Sequence, residues 1–175
     1  MSLDLKETIR SIKDFPKPGI VFRDITTLLK NPEALKTATD VFLKFAEEKN
    51  ITKIAGIESR GFIFGGLLAE KMNIGFIPIR KPGKLPAETE KETYSLEYGT
   101  DSIEIHKDAI APGDVVLLHD DLLATGGTAK AACNLIEKLG GKVAQISFLI
   151  ELSFLNGREK LANYDVRSII NYDSE

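Results

Sequence analysis

The fold is decided by residues 115–128, which read Val115-Val116-Leu117-Leu118-His119-Asp120-Asp121-Leu122-Leu123-Ala124-Thr125-Gly126-Gly127-Thr128. A nearly all-apolar run opens this stretch and predicts a strand over residues 114–118 that is covered on both faces of a sheet. Two carboxylates and a glycine-rich turn follow, and an alanine-rich helix is predicted over residues 128–139. This order of strand, turn and helix is typical of an α/β fold.

The rest of the chain repeats the alternation of strands and helices. Further strands are predicted over residues 53–57, 75–79, 143–150 and 166–170, and helices over residues 4–12, 32–49 and 61–72. The fold class is therefore α/β, with a mostly parallel central sheet flanked by helices. One segment, Arg80 to Tyr98, interrupts the pattern with lysines and prolines, and a loop of this length is usually a functional lid or disordered.

Composition limits the kind of protein. The 175 residues fit one domain, 1–175, and a net charge of −3 argues against a nucleic-acid partner. The single cysteine excludes an internal disulfide, which suits a reducing cytoplasm. No apolar run approaches the length that crosses a membrane, so no membrane partner is expected.

The turn after the apolar strand has the chemistry of a phosphate site. Gly126 and Gly127 allow a close approach of the main chain to a ligand and can take φ values closed to other residues. Thr125 and Thr128 add hydroxyl donors. The free N–H groups at the start of the new helix attract a dianion, and each hydrogen bond to a charged group contributes roughly 1.5–3 kcal/mol. The turn has neither the ending of a P-loop nor a G-x-G-x-x-G pattern. An ordinary strand end followed by a capped helix is the alternative.

The two aspartates suit a sugar beside that phosphate. Ionised carboxylates only accept hydrogen bonds, and the hydroxyls of a ribose can donate them. The charges of Asp120 and Asp121 would also favour positive charge that develops on a sugar ring in a transition state. The residues themselves therefore predict a sugar-phosphate site.

Residues 120–128 resemble the phosphoribosyl-pyrophosphate (PRPP) signature of type I phosphoribosyltransferases, in the form found in members that act on adenine. Further stretches share the resemblance in order along the chain, at residues 15–25, 58–62, 80–86, 94–99 and 157–161. The resemblance implies the type I phosphoribosyltransferase fold, with a small hood from about residues 1–30 and a flexible lid loop at about residues 80–98. It also implies a homodimer.

The implied reaction transfers the 5-phosphoribosyl group from PRPP to adenine and gives AMP and pyrophosphate, a step of purine salvage. The resemblance implies Mg²⁺ as cofactor, held through PRPP without a dedicated set of protein ligands. The two histidines, His106 and His119, are not at ligand spacing. His119 departs from the apolar residue that many relatives carry before the aspartates, and we expect it to be structural.

The resemblance also assigns roles to residues. The PRPP and AMP site comprises Asp120, Asp121, Ala124, Thr125, Gly126, Gly127 and Thr128. Pyrophosphate is assigned to Ser59, Arg60, Arg80, Lys81 and Lys84, with a non-proline cis peptide at the turn that carries Ser59. The adenine slot is assigned to Val21, Phe22, Arg23 and Leu152, with main-chain groups reading the base. Glu97 is expected to handle the proton on the base, and Asp120 and Asp121 complete the catalytic set.

Two other interpretations remain open at this point. A PRPP-sensing regulator on the same scaffold would lack catalysis, although such proteins usually carry an added DNA-binding domain. A transferase for guanine or hypoxanthine would need contacts to a six-keto group, often from a lysine. The sequence has no such lysine after the phosphate turn near Leu152.

Overall fold

The structure, a computed structural model, describes residues 3–95 and 99–175. In chain order its helices and strands are β1 (Arg10–Lys13), β2 (Val21–Asp24), α1 (Thr26–Leu29), α2 (Pro32–Ala46), β3 (Lys53–Ile57), α3 (Gly61–Met72), β4 (Gly75–Ile79), β5 (Thr89–Ser95), β6 (Thr100–His106), β7 (Val115–Leu123), α4 (Gly127–Lys138), β8 (Lys142–Leu152) and β9 (Val166–Tyr172). Short 3₁₀ helices occupy Leu5–Thr8, Ser153–Leu155 and Gly157–Leu161.

A five-stranded sheet in the order β4-β3-β7-β8-β9 forms the centre, and all its neighbouring strands run parallel. The predicted α/β fold with a mostly parallel sheet is therefore confirmed. Helix α3 joins β3 to β4 and helix α4 joins β7 to β8. Two antiparallel hairpins, β1-β2 and β5-β6, stand outside this sheet.

Both faces of the sheet are covered, which explains the continuous apolar runs. Leu117 of β7 belongs to the core under α2 and α3, and its neighbour Leu118 belongs to the core under α4 and β6. Ile54 and Ala55 of β3 divide between the two cores in the same way. Successive side chains of a strand point to opposite faces, so a strand covered on both faces needs apolar residues at every position.

The carboxyl ends of β3, β7 and β8 meet at one edge of the sheet. The segments that leave this edge are the turn Glu58–Arg60 after β3, the turn Ala124–Gly126 after β7, and the two short helices after Leu152. Ligands of open parallel sheets bind at this edge, where the connecting loops converge. The fold thus brings together stretches that are distant in sequence.

The helix predicted over residues 4–12 is wrong. A single 3₁₀ turn, Leu5–Thr8, is followed by strand β1, which pairs with β2 from Arg10 opposite Asp24 to Lys13 opposite Val21. The main-chain hydrogen bonds of this hairpin replace those that a second helical turn would have made, because tertiary pairing outweighs a weak local preference. Helix α2 begins as predicted, with Asn31 capping it, and ends at Ala46, three residues before the predicted end.

The segment 80–98 contains regular structure, contrary to the prediction of a loop. Strand β5 pairs with β6 over seven residues, from Thr89 opposite His106 to Ser95 opposite Thr100. Strand β7 also extends to Leu123, so both aspartates lie in the strand and not in the turn after it. In both cases a neighbouring strand supplies the hydrogen bonds, and this partner is not encoded in the local composition.

No helix in residues 3–95 and 99–175 has the length and the apolar character needed to cross a membrane.

Asp24→Asn should lower the free energy of unfolding by about 1 kcal/mol at pH 7. Hydrogen bonds from Arg10 lower the pKa of Asp24 from 3.8 to about 2. An acid with a lowered pKa stabilises the fold above its unfolded pKa, and this contribution is lost as the pH falls through the folded value. Urea unfolding should therefore show a difference between variant and wild type that shrinks from pH 5 to pH 3.

The control is Asp173→Asn, which changes an exposed carboxylate near the end of the chain. It should leave the unfolding free energy unchanged at each pH. A difference for Asp24→Asn that stays constant down to pH 3 would show that the ion pair with Arg10 does not stabilise this hairpin.

Candidate active site

A cleft of about 400 Å³ opens at the carboxyl edge of the sheet. The side chains that line it come from four parts of the chain and are Ile57, Glu58, Ser59, Arg60, Ile79, Lys81, Ile103, Asp120, Asp121, Leu122 and Thr128. The Glu58–Ser59 peptide bond at the base of the cleft is cis, which confirms the expectation of a non-proline cis peptide at this turn. The cleft combines carboxylates, two cations and an apolar wall.

A smaller cup of about 80 Å³ adjoins the cleft. Its wall is the turn from Leu122 to Ala129, with Asp120 and Phe148 beside it. Gly126 has a φ of 78°, a conformation that favours glycine, and helix α4 begins directly after it. The first N–H groups of a helix have no partner within it, so the cup presents main-chain donors at the positive end of the helix dipole.

Asp120, Leu122 and Thr128 line both the cup and the cleft. A ligand with a phosphate at one end and a charged group at the other would therefore pass Asp120 in the middle. The predicted residues Ala124 to Thr128 and both aspartates are all brought to this one place. Gly127 differs from the expectation in one respect, because it is helical and its φ is not positive. Its small size instead admits the ring of Tyr94, whose Cδ2 lies 3.4 Å from where a Cβ on Gly127 would stand.

Burial and the charges of neighbouring groups govern the two carboxylates. Burial, followed by the negative charge of Asp121, raises the pKa of Asp120 well above its usual value. Burial also raises the pKa of Asp121, and the nearby charge of Arg60 opposes this rise. The Oδ1 of Asp120 accepts a hydrogen bond of 2.8 Å from the N–H of Asp121. Hydrogen bonds from hydroxyl groups, or a nearby positive charge, would stabilise the ionised form of both acids.

Arg60 connects the aspartates to the N-terminal hairpin. Its Nε lies 2.7 Å from the buried Oδ2 of Asp121, which is otherwise without a hydrogen-bond partner among the described residues. Its guanidinium carbon also stands 5.3 Å from the centroid of the Phe22 ring. Arg60 is thus committed to Asp121 and is not a free cation in the cleft.

Two of the three remaining predicted cations, Arg80 and Lys81, are also held by carboxylates. Arg80 donates to Glu58 over 3.1 Å and 3.3 Å, which lowers the pKa of Glu58. Lys81 lines the cleft and pairs with Asp101. Burial favours its neutral amine, but the hydrogen bond to Asp101 raises the pKa of Lys81 above its usual value. Lys84 is exposed, and only its carbonyl contacts Arg80, at 3.3 Å.

The residues predicted to bind adenine are near the cleft but do not line it. Phe22 reaches Arg60, and the Arg23 side chain lies 3.9 Å over the Tyr172 ring and donates to Ser11. Val21 is half-buried beside them in β2, and Leu152 ends β8 at the same edge of the sheet. The prediction for Glu97 falls outside the described residues.

His119 is structural, as expected. It is fully buried between Phe42 and Phe64, with ring centroids 4.9 Å and 6.0 Å away, and burial lowers its pKa to about 3. Its Nδ1 lies 2.9 Å from the Oγ of Ser147. It is therefore neutral and does not titrate in the cleft near pH 7.

Sequence reasoning missed the residues that hold the cations. Glu58 lies in one of the stretches that carry the family resemblance, but the resemblance assigned it no role. Nothing in the local sequence indicated the roles of Asp101 and Tyr94. The Tyr94 hydroxyl accepts a hydrogen bond of 3.0 Å from Thr128 and donates one of 3.2 Å to Asp101. Strand pairing places Tyr94 opposite Asp101, so the hairpin register was the information needed.

No three His, Cys, Asp or Glu side chains form a metal-ligand cluster within the described ranges 3–95 and 99–175.

Comparison with known proteins assigns the chain to a family. The profile of the phosphoribosyl transferase domain matches residues 24–173. The adenine phosphoribosyltransferase of Christiangramia forsetii is 59% identical over 170 residues, 97% of this chain and 99% of that protein. The crystal structure of the enzyme of that name from Thermoanaerobacter pseudethanolicus superposes with a TM-score of 0.94 at 53% identity, covering 96% of this chain and 98% of the other.

The Saccharomyces cerevisiae adenine phosphoribosyltransferase, crystallised with an imino-altritol bisphosphate and adenine, has a TM-score of 0.90 at 43% identity. The superposition covers 94% of this chain and 95% of the yeast chain. The chain therefore belongs to the type I phosphoribosyltransferase family. Its relatives within that family, matched over nearly the whole length, are adenine phosphoribosyltransferases.

Asp121→Asn should lower kcat/KM for PRPP at least about tenfold and leave the melting temperature equal or higher. The variant loses the charge that holds Arg60 and faces the sugar. A buried acid with a raised pKa destabilises the fold when it is ionised, so removing its charge does not cost stability. Steady-state kinetics and thermal melts would measure both effects.

Asp114→Asn, beside the opposite end of the same strand, is the matched control. Hydrogen bonds from the N–H of Ala111 and from Thr52 lower the pKa of Asp114, so this variant should lose stability and keep its rate. An unchanged rate in Asp121→Asn would remove Asp121 from the active site.

Proposed function

We infer that this chain transfers the 5-phosphoribosyl group from PRPP to adenine, giving AMP and pyrophosphate in purine salvage. The observation that carries this inference is the arrangement of cup and cleft, which share Asp120. PRPP has a single phosphate at one end of a ribose and a pyrophosphate at the other, and this arrangement matches the two compartments. The relatives with high identity over nearly the whole chain carry this activity in their names.

In this function the cup holds the 5′-phosphate. The main-chain donors from Ala124 to Gly127 and the hydroxyls of Thr125 and Thr128 surround its oxygens. The ribose then lies beside Asp120 and Asp121, whose carboxylates accept its hydroxyl hydrogens. As the bond to pyrophosphate breaks, the two acids stabilise the positive charge that develops on the ring.

The cleft binds the leaving pyrophosphate. Ser59 and the main chain of its turn offer donors, and Lys81 is the lysine that lines the cleft. Asp101 is the present partner of Lys81, so pyrophosphate would take its place as counter-ion. Arg80 and Lys84 stand behind this position and add positive charge at longer range.

Mg²⁺ is the cofactor that we propose. The oxygen donors of Asp120 and Asp121 suit this ion, and the described residues offer no cluster of three ligands. The ion would therefore be held mainly through PRPP oxygens, with these carboxylates nearby. When bound, it neutralises charge on the leaving pyrophosphate.

Adenine recognition belongs to the hood, the N-terminal segment of about residues 1–30. Arg60, which lines the cleft and pairs with Asp121, stands 5.3 Å from the Phe22 ring of β2, which supports this assignment. The Arg23 side chain is occupied by Tyr172 and Ser11, which leaves main-chain groups of Val21 to Arg23 to read the base. Leu152 would close the opposite face of this slot. The protein is also proposed to act in the cytoplasm as a homodimer, without a nucleic-acid partner.

Purified protein with Mg²⁺ and PRPP should consume adenine and release pyrophosphate. Adenine should be preferred over hypoxanthine and guanine by at least about a hundredfold in kcat/KM. A wrong base leaves buried hydrogen-bonding groups of the base site without partners. Coupled pyrophosphate release with each base measures this preference. Turnover of hypoxanthine without adenine would overturn the base assignment. PRPP binding without turnover of any base would favour a regulator.

Glu97→Gln should lower kcat more than it weakens adenine binding. A carboxylate near a purine ring nitrogen stabilises the protonated tautomer as the new bond forms, and glutamine cannot do so. Glu88→Gln, an exposed glutamate in the middle of the lid segment 80–98, is the matched control and should have no effect. A variant at position 97 that changes KM for adenine and keeps kcat would make Glu97 a binding residue only.

A further inference from the structure

The segment Gly157-Arg158-Glu159-Lys160-Leu161 shares in the family resemblance but has no role in the mechanism above. We propose that this segment is the outer wall of the cup for the 5′-phosphate, and that Lys160 supplies the cation of that cup. The proposal rests on the proposed function and adds a binding residue and a positioning residue to it.

The wall touches the phosphate turn main chain to main chain. A Cβ on Gly157 would stand 2.2 Å from the carbonyl oxygen of Ala124, and a Cβ on Gly126 would stand 2.4 Å from the carbonyl oxygen of Gly157. Real Cβ atoms do not approach backbone oxygens so closely, so a side chain at either glycine would push the two segments apart. The position of the 157–161 segment therefore decides the shape of the cup.

An ion pair anchors this wall to the central sheet. Arg158 donates to both oxygens of Glu151, over 2.6 Å and 2.7 Å, and also to the carbonyl of Val166 over 2.9 Å. Ser168 donates to the same carboxylate over 2.6 Å. Glu151 is buried and pairs in register with Leu123, the last residue of β7 before the turn. Arg158 is thus a positioning residue tied to the strand that leads into the cup.

Lys160 follows on the same short helix, beside the start of α4. Its Nζ lies 4.0 Å from where a Cβ on Gly127 would stand, and the side chain is exposed. None of the ion pairs in the described part of the chain uses Lys160. The nearby Lys130 is engaged with the hydroxyl of Tyr164 at 3.0 Å. Lys160 is therefore the ammonium that a phosphate at the start of α4 would meet.

A cation beside the cup would complement the neutral main-chain donors of the turn. The turn itself contains no lysine or arginine between Asp120 and Thr128, and Asp120 adds negative charge at its inner side. A dianionic phosphate held only by neutral donors next to a carboxylate lacks a counter-ion. An ammonium at the outer wall opposes that carboxylate across the phosphate.

Isothermal titration with ribose 5-phosphate and, separately, with pyrophosphate tests the wall. Lys160→Gln should weaken ribose 5-phosphate binding about fivefold, which is the largest loss usual for the removal of an exposed ion pair. Pyrophosphate binding should stay unchanged. Lys160→Arg should keep most of the affinity. Lys142→Gln is the matched control, since this exposed lysine lies at the opposite end of β8, and it should change neither affinity.

Arg158→Lys tests the anchor, because lysine keeps the charge but loses the two-point contact with Glu151. It should raise KM for PRPP and weaken ribose 5-phosphate binding. The kcat and the pyrophosphate affinity should stay within twofold of wild type, which corresponds to about 0.4 kcal/mol. A general structural defect would instead lower kcat and both affinities together with the rise in KM, and that result would overturn the anchor.

The wall is overturned if Lys160→Gln binds ribose 5-phosphate as tightly as wild type does. It is also overturned if the variant loses affinity for ribose 5-phosphate and pyrophosphate equally. The proposed function fails separately, when wild-type protein does not turn over adenine. In that case ribose 5-phosphate binding still tests the role of Lys160, because this ligand contains no base.

Discussion

The site depends on the contact between two stretches of bare main chain. The turn after β7 and the segment that begins at Gly157 approach so closely that neither Gly126 nor Gly157 has room for a Cβ. This approach leaves a cup of about 80 Å³ at the start of α4, where main-chain N–H groups face inward. The parallel sheet makes the contact possible, because β7 and β8 both end at the same edge.

Charge is arranged around this cup in pairs. Asp121 holds Arg60, Glu58 holds Arg80, Asp101 holds Lys81, and Glu151 holds Arg158. Each carboxylate fixes the position of its cation, so the two residues of a pair act as a unit. Asp120 lines both the cup and the cleft, and burial and the charge of Asp121 both disfavour its ionised form. Positive charge that develops beside this carboxylate would stabilise it.

Side-chain contacts connect the lid and the hood to this centre. Thr128 donates to Tyr94 of the β5-β6 hairpin, and Arg60 stacks near Phe22 of the β1-β2 hairpin. Both hairpins lie outside the central sheet and reach it at its carboxyl edge. The residues proposed to bind different parts of PRPP and adenine are in this way linked through side chains.

The sequence by itself determined the class of fold, the phosphate turn and the paired acids. These features are local: apolar runs predict covered strands, and glycines and acids directly after a strand predict a ligand site. Only the tertiary structure decided that β1 and β5 are strands, that both aspartates lie inside β7, and which carboxylate holds which cation. These outcomes depend on partners far away in the chain, as with Lys81 and Asp101 or Gly126 and Gly157, and local composition does not encode the partner that supplies a hydrogen bond or a close contact.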